Sequence, residues 1–514
     1  MVVGHNIDFP DLWSLSQRIK TKLPASSASE SFRKHNVAAA LGHSLDRVNI
    51  LGDDAGYGHS GCVNALSWAS NGEILISSGD DTTVRIWRMD NSNTSQQYPF
   101  MCRSVIHTGH RANIFSAKML PHSSRIVTAA GDMQIRVFDA RSATSSSLVS
   151  DDLETEYSVD ESCLRVIHCH EDRAKKIVTE DSPDLFLSLA EDGTVRQHDL
   201  RIPHNCQTEA CSAPLVDMGF ELSTISVSPL TPYQFVVAGD SPHGYLYDRR
   251  HLRRVIEAEW GAIPQAGKGA TTCVRKFSRP KADTTSSVPV FLRDHITGSR
   301  ISKSNGHEVL LSFSGDGVYI FSTKDDSSDD GSMKRGASIS THNSESQDDE
   351  SSESSEIHRP DEHPGLNAPS ILSRQSYTGA RNVATIKDVN FIGPHDEWIV
   401  SGSDDGNLFI WNKKDASLQG IYEGDSSVVN VVEEHPYLPL LAVSGIDNTV
   451  KLFAPNLSDK PSTFSRIANA EEIVSTNRRA GETRILRYDL STLLSEVRAA
   501  VGNESDLSEQ CVGQ

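Results

Sequence analysis

Histidine, a hydroxyl residue and aspartate recur in fixed order along this chain: His59, Ser77 and Asp81, then His110, Thr128 and Asp132, then His170, Ser188 and Asp192. These are the residue types of a hydrolytic triad, in which aspartate orients a histidine that takes the proton of a hydroxyl nucleophile. A catalytic centre needs one such set in one cleft. Sets repeated in register are what a scaffold predicts. Each histidine also precedes an aromatic-type position by one constant interval, His59 before Trp87, His110 before Phe138 and His170 before His198. No isolated nucleophile with a base stands out elsewhere, so the chain reads as non-catalytic and without a cofactor.

The elements that must position these residues follow from the repeat. GHSGCVNALSWASNGEILISSGDDTTVRIW and GHRANIFSAKMLPHSSRIVTAAGDMQIRVF share one grammar: Gly-His, an apolar run, a small-residue strand, then a turn aspartate and an aromatic. Units of about 40 residues with such marks predict a β-propeller, one four-stranded blade per unit. Four weaker copies end at Tyr247, Phe321, Trp411 and Phe453, with turn aspartates Asp240, Asp316, Asp405 and Asp447. Ala380 and Asp425 stand in the last two where histidine is expected. The expectation is therefore an all-β, seven-bladed propeller. Val84, Ile86, Leu408 and Ile410 alternate with polar neighbours, as half-buried strands do. Gly, Asp and Asn between the runs suit tight turns.

Seven blades use roughly 300 residues of a 514-residue chain. Residues 1–47 form an N-terminal arm, in which DLWSLSQRIKTKL (11–23) predicts a short helix with Leu12, Leu15 and Ile19 on one face. Blades one to five occupy 48–322, and Val48–Leu51 is the candidate strand for closing the ring. Residues 323–370 are an insertion rich in Ser, Asp and Glu, with too little apolar surface to offset its ordering entropy. Insertions at 142–162 and 279–305 read similarly. Blades six and seven follow at 371–458. The tail, 459–514, places Leu490, Leu493, Leu494 and Val497 at helical spacing, for docking on the propeller or on a partner.

A net charge of −20 argues against a nucleic-acid partner, which needs clustered Lys and Arg. No apolar stretch is long enough to predict a membrane span. The eight cysteines include no CxxC pair. Cys163, His168, Cys169, His170, His204, Cys206 and Cys211 are zinc-ligand types, but their spacings match no common zinc module, and His170 already serves the repeat. The expectation is reduced thiols without metal, in the cytoplasm or nucleus.

These marks together resemble the WD-repeat family. The resemblance implies that His, Ser or Thr, the turn Asp and the Trp form a buried hydrogen-bonded set. Here that would be His59, Ser77, Asp81 and Trp87; His110, Thr128 and Asp132; His170, Ser188 and Asp192. Asp405 with Trp411, and Asp447, mark the corresponding places in blades six and seven.

Three consecutive blades end in aromatic-type–Asp–x–Arg: Phe138-Asp139-Ala140-Arg141, His198-Asp199-Leu200-Arg201 and Tyr247-Asp248-Arg249-Arg250. Blades one, six and seven read WRMD, WNKK and FAPN instead. Three adjacent copies place three arginines on neighbouring edges of one face, and arginine's planar fork suits an interface. Such endings resemble the substrate receptors of cullin-4–RING ubiquitin ligases. TGHRANIFSAKML, EDGTVRQHDLR and DEWIVSGSDDGNLFIWNKKD are similar to the subgroup known as nuclear-receptor-interaction or tetratricopeptide-and-WD proteins. The resemblance covers about 40–322 and 370–480. It departs at His198, where Trp or Phe is usual, in a shorter insertion and in lacking a tetratricopeptide unit. It implies that Asp139, Arg141, Asp199, Arg201, Asp248 and Arg250 contact the ligase adaptor, the damage-specific DNA-binding protein large subunit, with 11–23 as a second contact. A protein substrate of unknown identity would bind elsewhere for ubiquitination. A WD-repeat scaffold of another complex is the alternative, in which the arginines pair within their own blades.

Overall fold

A computed structural model describes residues 27–53, 58–90, 93, 96–144, 154–206, 208, 210–252, 271–280, 295–327, 368–456 and 461–480. Their strands form seven separate sheets. The first strands of these sheets are Val63–Ala69, Ile114–Met119, Ala174–Thr179, Leu222–Val227, Ile296–Ile301, Val389–Ile392 and Val429–Glu434. Each touches the first strand on either side, and the seventh meets the first, so the chain is a seven-bladed β-propeller.

Closure comes from the N-terminal side. Leu45–Leu51 pairs antiparallel with Val450–Pro455 and becomes the outer strand of blade seven. That strand starts at Leu45, before the expected Val48, and its two buried ends, Leu45 and Leu51, anchor it. An edge that would otherwise be open is thereby paired. Helix Ser27–Leu41 precedes it and lays Val37 and Leu41, one turn apart, against Leu408, Val443 and Phe453 of blades six and seven. The sequence reading missed this helix because its Ala-rich run carries few large apolar residues. The expected helix at 11–23 lies outside the described residues.

Between the blades the apolar faces interlock. Leu75, Trp87 and Val105 of blade one pack with Val431, Ala442 and Leu452 of blade seven. Polar groups instead face the axis, where they bridge blades that are not neighbours. Lys176 of blade three reaches Asp388 at the start of blade six at 2.9 Å. Arg300 of blade five reaches Glu433 of blade seven at 2.8 Å.

Two expectations are corrected. The stretch 279–305 is not wholly an insertion, because Ile296–Ile301 is the first strand of blade five; its sequence ITGSRI lacks the apolar alternation that would reveal it. Nor does 48–322 contain all of blade five, whose outer strand Gln375–Tyr377 lies beyond the acidic insertion. The residues just before it, Ser370–Leu372, add a parallel fifth strand to blade four. The same device appears in blade one, where Thr155–Tyr157 pairs parallel with Phe100–His107 before the chain supplies the outer strand of blade two, Cys163–Ile167. At the other end, helical residues 470–480 dock on the ring: Asn477 Nδ2 donates to Asp405 Oδ2 at 2.9 Å, and Ile473 and Val474 pack beside Phe409 and Trp411. The positions Leu490 to Val497 lie outside the described residues.

Candidate functional site

The candidate site is the rim formed by the three Asp-x-Arg segments, and in blades two and three histidine sets hold the strands that lead to them. In blade one, His59 Nδ1 lies 2.9 Å from Asp81 Oδ2 and His59 Nε2 2.7 Å from Ser77 Oγ, which also accepts the Trp87 indole N–H at 2.7 Å. Blade two joins His110 to Asp132 and Thr128 at 3.0 and 2.7 Å, and Phe138 adds only packing. Blade three joins His170 to Asp192 and Ser188 at 2.9 and 2.7 Å. There His198 Nε2 lies 2.7 Å from Ser188 Oγ, the place the indole nitrogen takes in blade one. Burial pushes the Asp81 and Asp192 carboxyls up, but hydrogen bonds and charge from His59 and His170 outweigh it and hold both down at about 2. None of these hydroxyls borders an open cleft: Ser77, Thr128 and Ser188 are fully buried.

Blade seven fills these places with charge, and blade six buries an ion pair beside them, its Asp404 one residue before the turn aspartate Asp405. Asp404, fully buried with Lys387, lies 2.5 Å from its ammonium and accepts the backbone N–H of Val383 and Ala384 at 2.6 and 2.7 Å. Asp405 instead binds Asn477, and Trp411 donates to the Thr378 carbonyl at 3.1 Å. In blade seven Lys451 lies 3.1 Å from Asp425 and 2.7 Å from Asp447. Sequence reasoning overlooked both lysines; the acids at 404 and 425 were the only signal.

The rim is built from one local hydrogen bond used three times. Asp139 and Asp199 end a third strand, and Asp248 lies within one that runs on to Leu252; all three stand opposite the start of the second strand, paired with Arg125, Leu185 and Gln234. Each aspartate Oδ1 accepts the backbone N–H of the arginine two residues on, at 2.9, 3.0 and 2.9 Å. Equivalent register in adjacent blades puts Arg141, Arg201 and Arg250 on one side of the ring. All three are exposed, the Arg201 and Arg250 side chains by 65% and 60%. Asp199 and Asp248 also grip the guanidinium, through Nε at 2.9 and 3.0 Å and Nη2 at 2.6 and 2.7 Å. The Arg201 hydrogen bonds hold the Asp199 carboxyl at about 2. Arg250 further lies over the Tyr233 ring, 3.5 Å from its centroid.

Residues that the motif did not reveal fix the spacing of the three blades. Arg125 of blade two donates to Asp184 of blade three at 2.7 Å, and Arg249 of blade four donates to Glu180 of blade three at 2.7 Å. Two exposed apolar side chains accompany the arginines: Ile202 directly follows Arg201, and Leu230 lies in the connection that carries Tyr233.

Comparison with known proteins agrees with this architecture. The family described as WD domain, G-beta repeat matches residues 55–88, 102–139 and 374–412. The chain is 36% identical over 277 residues to WD repeat protein iqw1 of Schizosaccharomyces pombe, covering 53% of this chain and 32% of that protein. It is 32% identical over 275 residues to human DDB1- and CUL4-associated factor 6, covering 52% of this chain and 27% of the relative. Mouse WD and tetratricopeptide repeats protein 1 is 29% identical over 286 residues, 51% of this chain and 37% of that one. The chain thus spans about a third of the length of the curated relatives it matches. Repeats, register and closure together make this chain a WD-repeat β-propeller.

Proposed function

We propose that this chain is a non-catalytic substrate receptor of a cullin-4–RING ubiquitin ligase, docking on the ligase adaptor through the rim of blades two to four. One observation carries the reading: three exposed arginines follow the same Asp-to-backbone hydrogen bond in consecutive blades. The aspartate forks hold Arg201 and Arg250 in one rotamer, so docking immobilises less side-chain freedom than it would for loose cations. Ile202 and Leu230 supply apolar contact beside the charge, the mixture of a docking patch. The similarity to DDB1- and CUL4-associated factor 6 supports the same assignment. Ubiquitin transfer would belong to other subunits, and the substrate would be held on another surface.

The second reading, a scaffold of a different assembly, draws on the same forks, since Arg201 and Arg250 already pair with Asp199 and Asp248. A pull-down of the adaptor by the wild type and by the triple change Arg141→Ala, Arg201→Ala, Arg250→Ala separates them, with circular dichroism as the folding check. The receptor reading expects affinity to fall by roughly a hundredfold or more with the fold intact. A wild type that fails to bind the adaptor sinks it.

A further inference from the structure

The four side chains Cys169, His204, Cys206 and Cys211 converge beside the blade-three turn, all their ligand atoms within 4.8 Å of one another. Cys169 Sγ and Cys206 Sγ are 3.4 Å apart, and His204 Nε2 lies 3.4 Å from Cys211 Sγ. Cys169 comes from the connection between Cys163–Ile167 and Ala174–Thr179, whereas the other three lie between Thr194–Asp199 and Val216–Asp217. Three of the four therefore cluster within 204–211, and the fold brings in the fourth, Cys169. Three further residues of the sequence-level group do not join it. His170 is engaged by Ser188 and Asp192, Cys163 Sγ turns to the Arg165 carbonyl, and His168 lies outside the converging four.

We propose that Cys169, His204, Cys206 and Cys211 form a closed, structural zinc site. Tetrahedral zinc with sulfur ligands at ~2.3 Å and nitrogen at ~2.0 Å spaces sulfur from sulfur by about 3.8 Å and sulfur from nitrogen by about 3.5 Å. His204 and Cys211 already stand at that spacing, Cys169 and Cys206 need to part by about 0.4 Å, and the widest pair needs to close by about an ångström. Three thiolates and one imidazole select zinc over the hard cations, which take oxygen ligands. On binding, the three thiols release their protons to solvent and His204 enters neutral, leaving a singly negative centre. Arg196 stands ready to offset that charge: its Nη1 donates at 2.9 Å to the carbonyl of Ser212, next to Cys211. Its Nε is buried without a hydrogen-bond partner among the described residues.

The local fold gives the ion a task. Among the described residues, blade three has the shortest outer strand, Val216–Asp217, and those between Asp199 and Val216 carry no helix or strand. Pinning this segment to the Cys169 connection would fix the chain that runs on directly from Arg201. A four-donor cross-link does so without a sheet ladder.

The test is the zinc content of the full-length protein after incubation with zinc sulfate and desalting. About one zinc per chain is expected, with cobalt(II) in its place giving the intense visible bands of tetrahedral thiolate ligation. The double change Cys206→Ser, Cys211→Ser should lose both signals, and Cys163→Ser should keep them. Wild type without bound zinc, unchanged binding in the double variant, or a Cys169–Cys206 disulfide in the isolated protein would overturn the proposal. If the double variant fails to fold, alkylation of the wild type decides. Zinc should slow labelling of Cys169, Cys206 and Cys211 by roughly tenfold or more relative to Cys163. Equal labelling with and without zinc would overturn it.

Discussion

Blades one to three and blades six and seven solve the same structural problem with different chemistry. In the first group an imidazole and a hydroxyl link the loop before the first strand to the second strand and the following turn, as in His59–Ser77–Asp81. In the second group the ties are made by buried ammonium and carboxylate, as in Lys387–Asp404 and Lys451–Asp425–Asp447. A hydroxyl–imidazole relay lets each member satisfy its neighbour, so deletion of one leaves one or two polar atoms exposed to an apolar interior. A buried ion pair leaves a whole charge behind when one member goes. Blade seven, with Asp425 in the histidine's place, teaches that a buried position must be satisfied while the residues that satisfy it can change; blade six keeps its ion pair beside that position.

Breaking an ionic tie should therefore do the greatest harm. Lys387→Met leaves Asp404 charged and enclosed, and should cost about 3–5 kcal/mol in a urea unfolding titration. The double change Lys387→Met, Asp404→Asn should recover much of this loss, because the asparagine carbonyl can still accept from Val383 and Ala384. A cost for the single change below about 1 kcal/mol would show that the charge escapes to water and end the contrast.

Next in size is the hydroxyl of the relay. Ser188→Ala strands both His170 Nε2 and His198 Nε2, whereas Thr128→Val in blade two strands His110 alone, because Phe138 carries no polar atom. At about 1–3 kcal/mol for each orphaned group, Ser188→Ala should exceed Thr128→Val by at least about 1 kcal/mol. Equal costs would mean that His198 contributes packing against Phe186 and no useful hydrogen bond.

The two halves of the ring also differed in how readable they were. Gly-His starts and turn aspartates made blades one to three legible, because the relay is built from local repeats with fixed spacing. Blade five was legible only from its second strand onward, since Ile296–Ile301 presents Thr, Gly, Ser and Arg and takes its stability from neighbouring blades. Lys387 and Lys451 escaped notice for a related reason: a lysine, whether in a connection like Lys387 or a strand like Lys451, reads as a solvent-facing residue until the fold buries it. Bridges across the axis, such as Lys176–Asp388, join positions far apart in sequence and have no local mark at all. The arginines of the rim were visible as a motif, but the blade-to-blade pairs Arg125–Asp184 and Arg249–Glu180 that space them were not.

A smaller effect sharpens the comparison within the relay group. Burial pushes His198 down to about 3, with the charges of His170 and Arg196 adding to it, so it is neutral in the folded protein at pH 7. Unfolded histidine titrates near 6.5, so between about pH 6.5 and 3 the unfolded state binds the extra proton. Stability must therefore rise with pH through that window and fall on acidification, by up to about 1.4 kcal/mol per unit from this residue. His198→Trp should remove that slope while keeping a nitrogen donor for Ser188, as Trp87 does for Ser77. Matching wild-type and variant slopes from pH 6.5 to 4 would show that His198 protonates in place.

The smallest expected effect on stability lies at the rim, where the comparison turns from interior to surface. Arg201→Ala removes a guanidinium that is 65% exposed and whose hydrogen bonds go to its own neighbour, Asp199. Asp199 keeps its backbone bond from residue 201, so the turn itself persists. The Asp199 side chain is 18% exposed beneath that guanidinium, and removing the guanidinium opens the carboxylate to water, which solvates it at little cost. Thermal unfolding by circular dichroism should therefore show no measurable shift, in contrast to every interior change above. A clear drop in melting temperature would mean that the fork supports blade three. The exposed arginine would then owe its place to the fold, and its value as evidence for a docking surface would be lost.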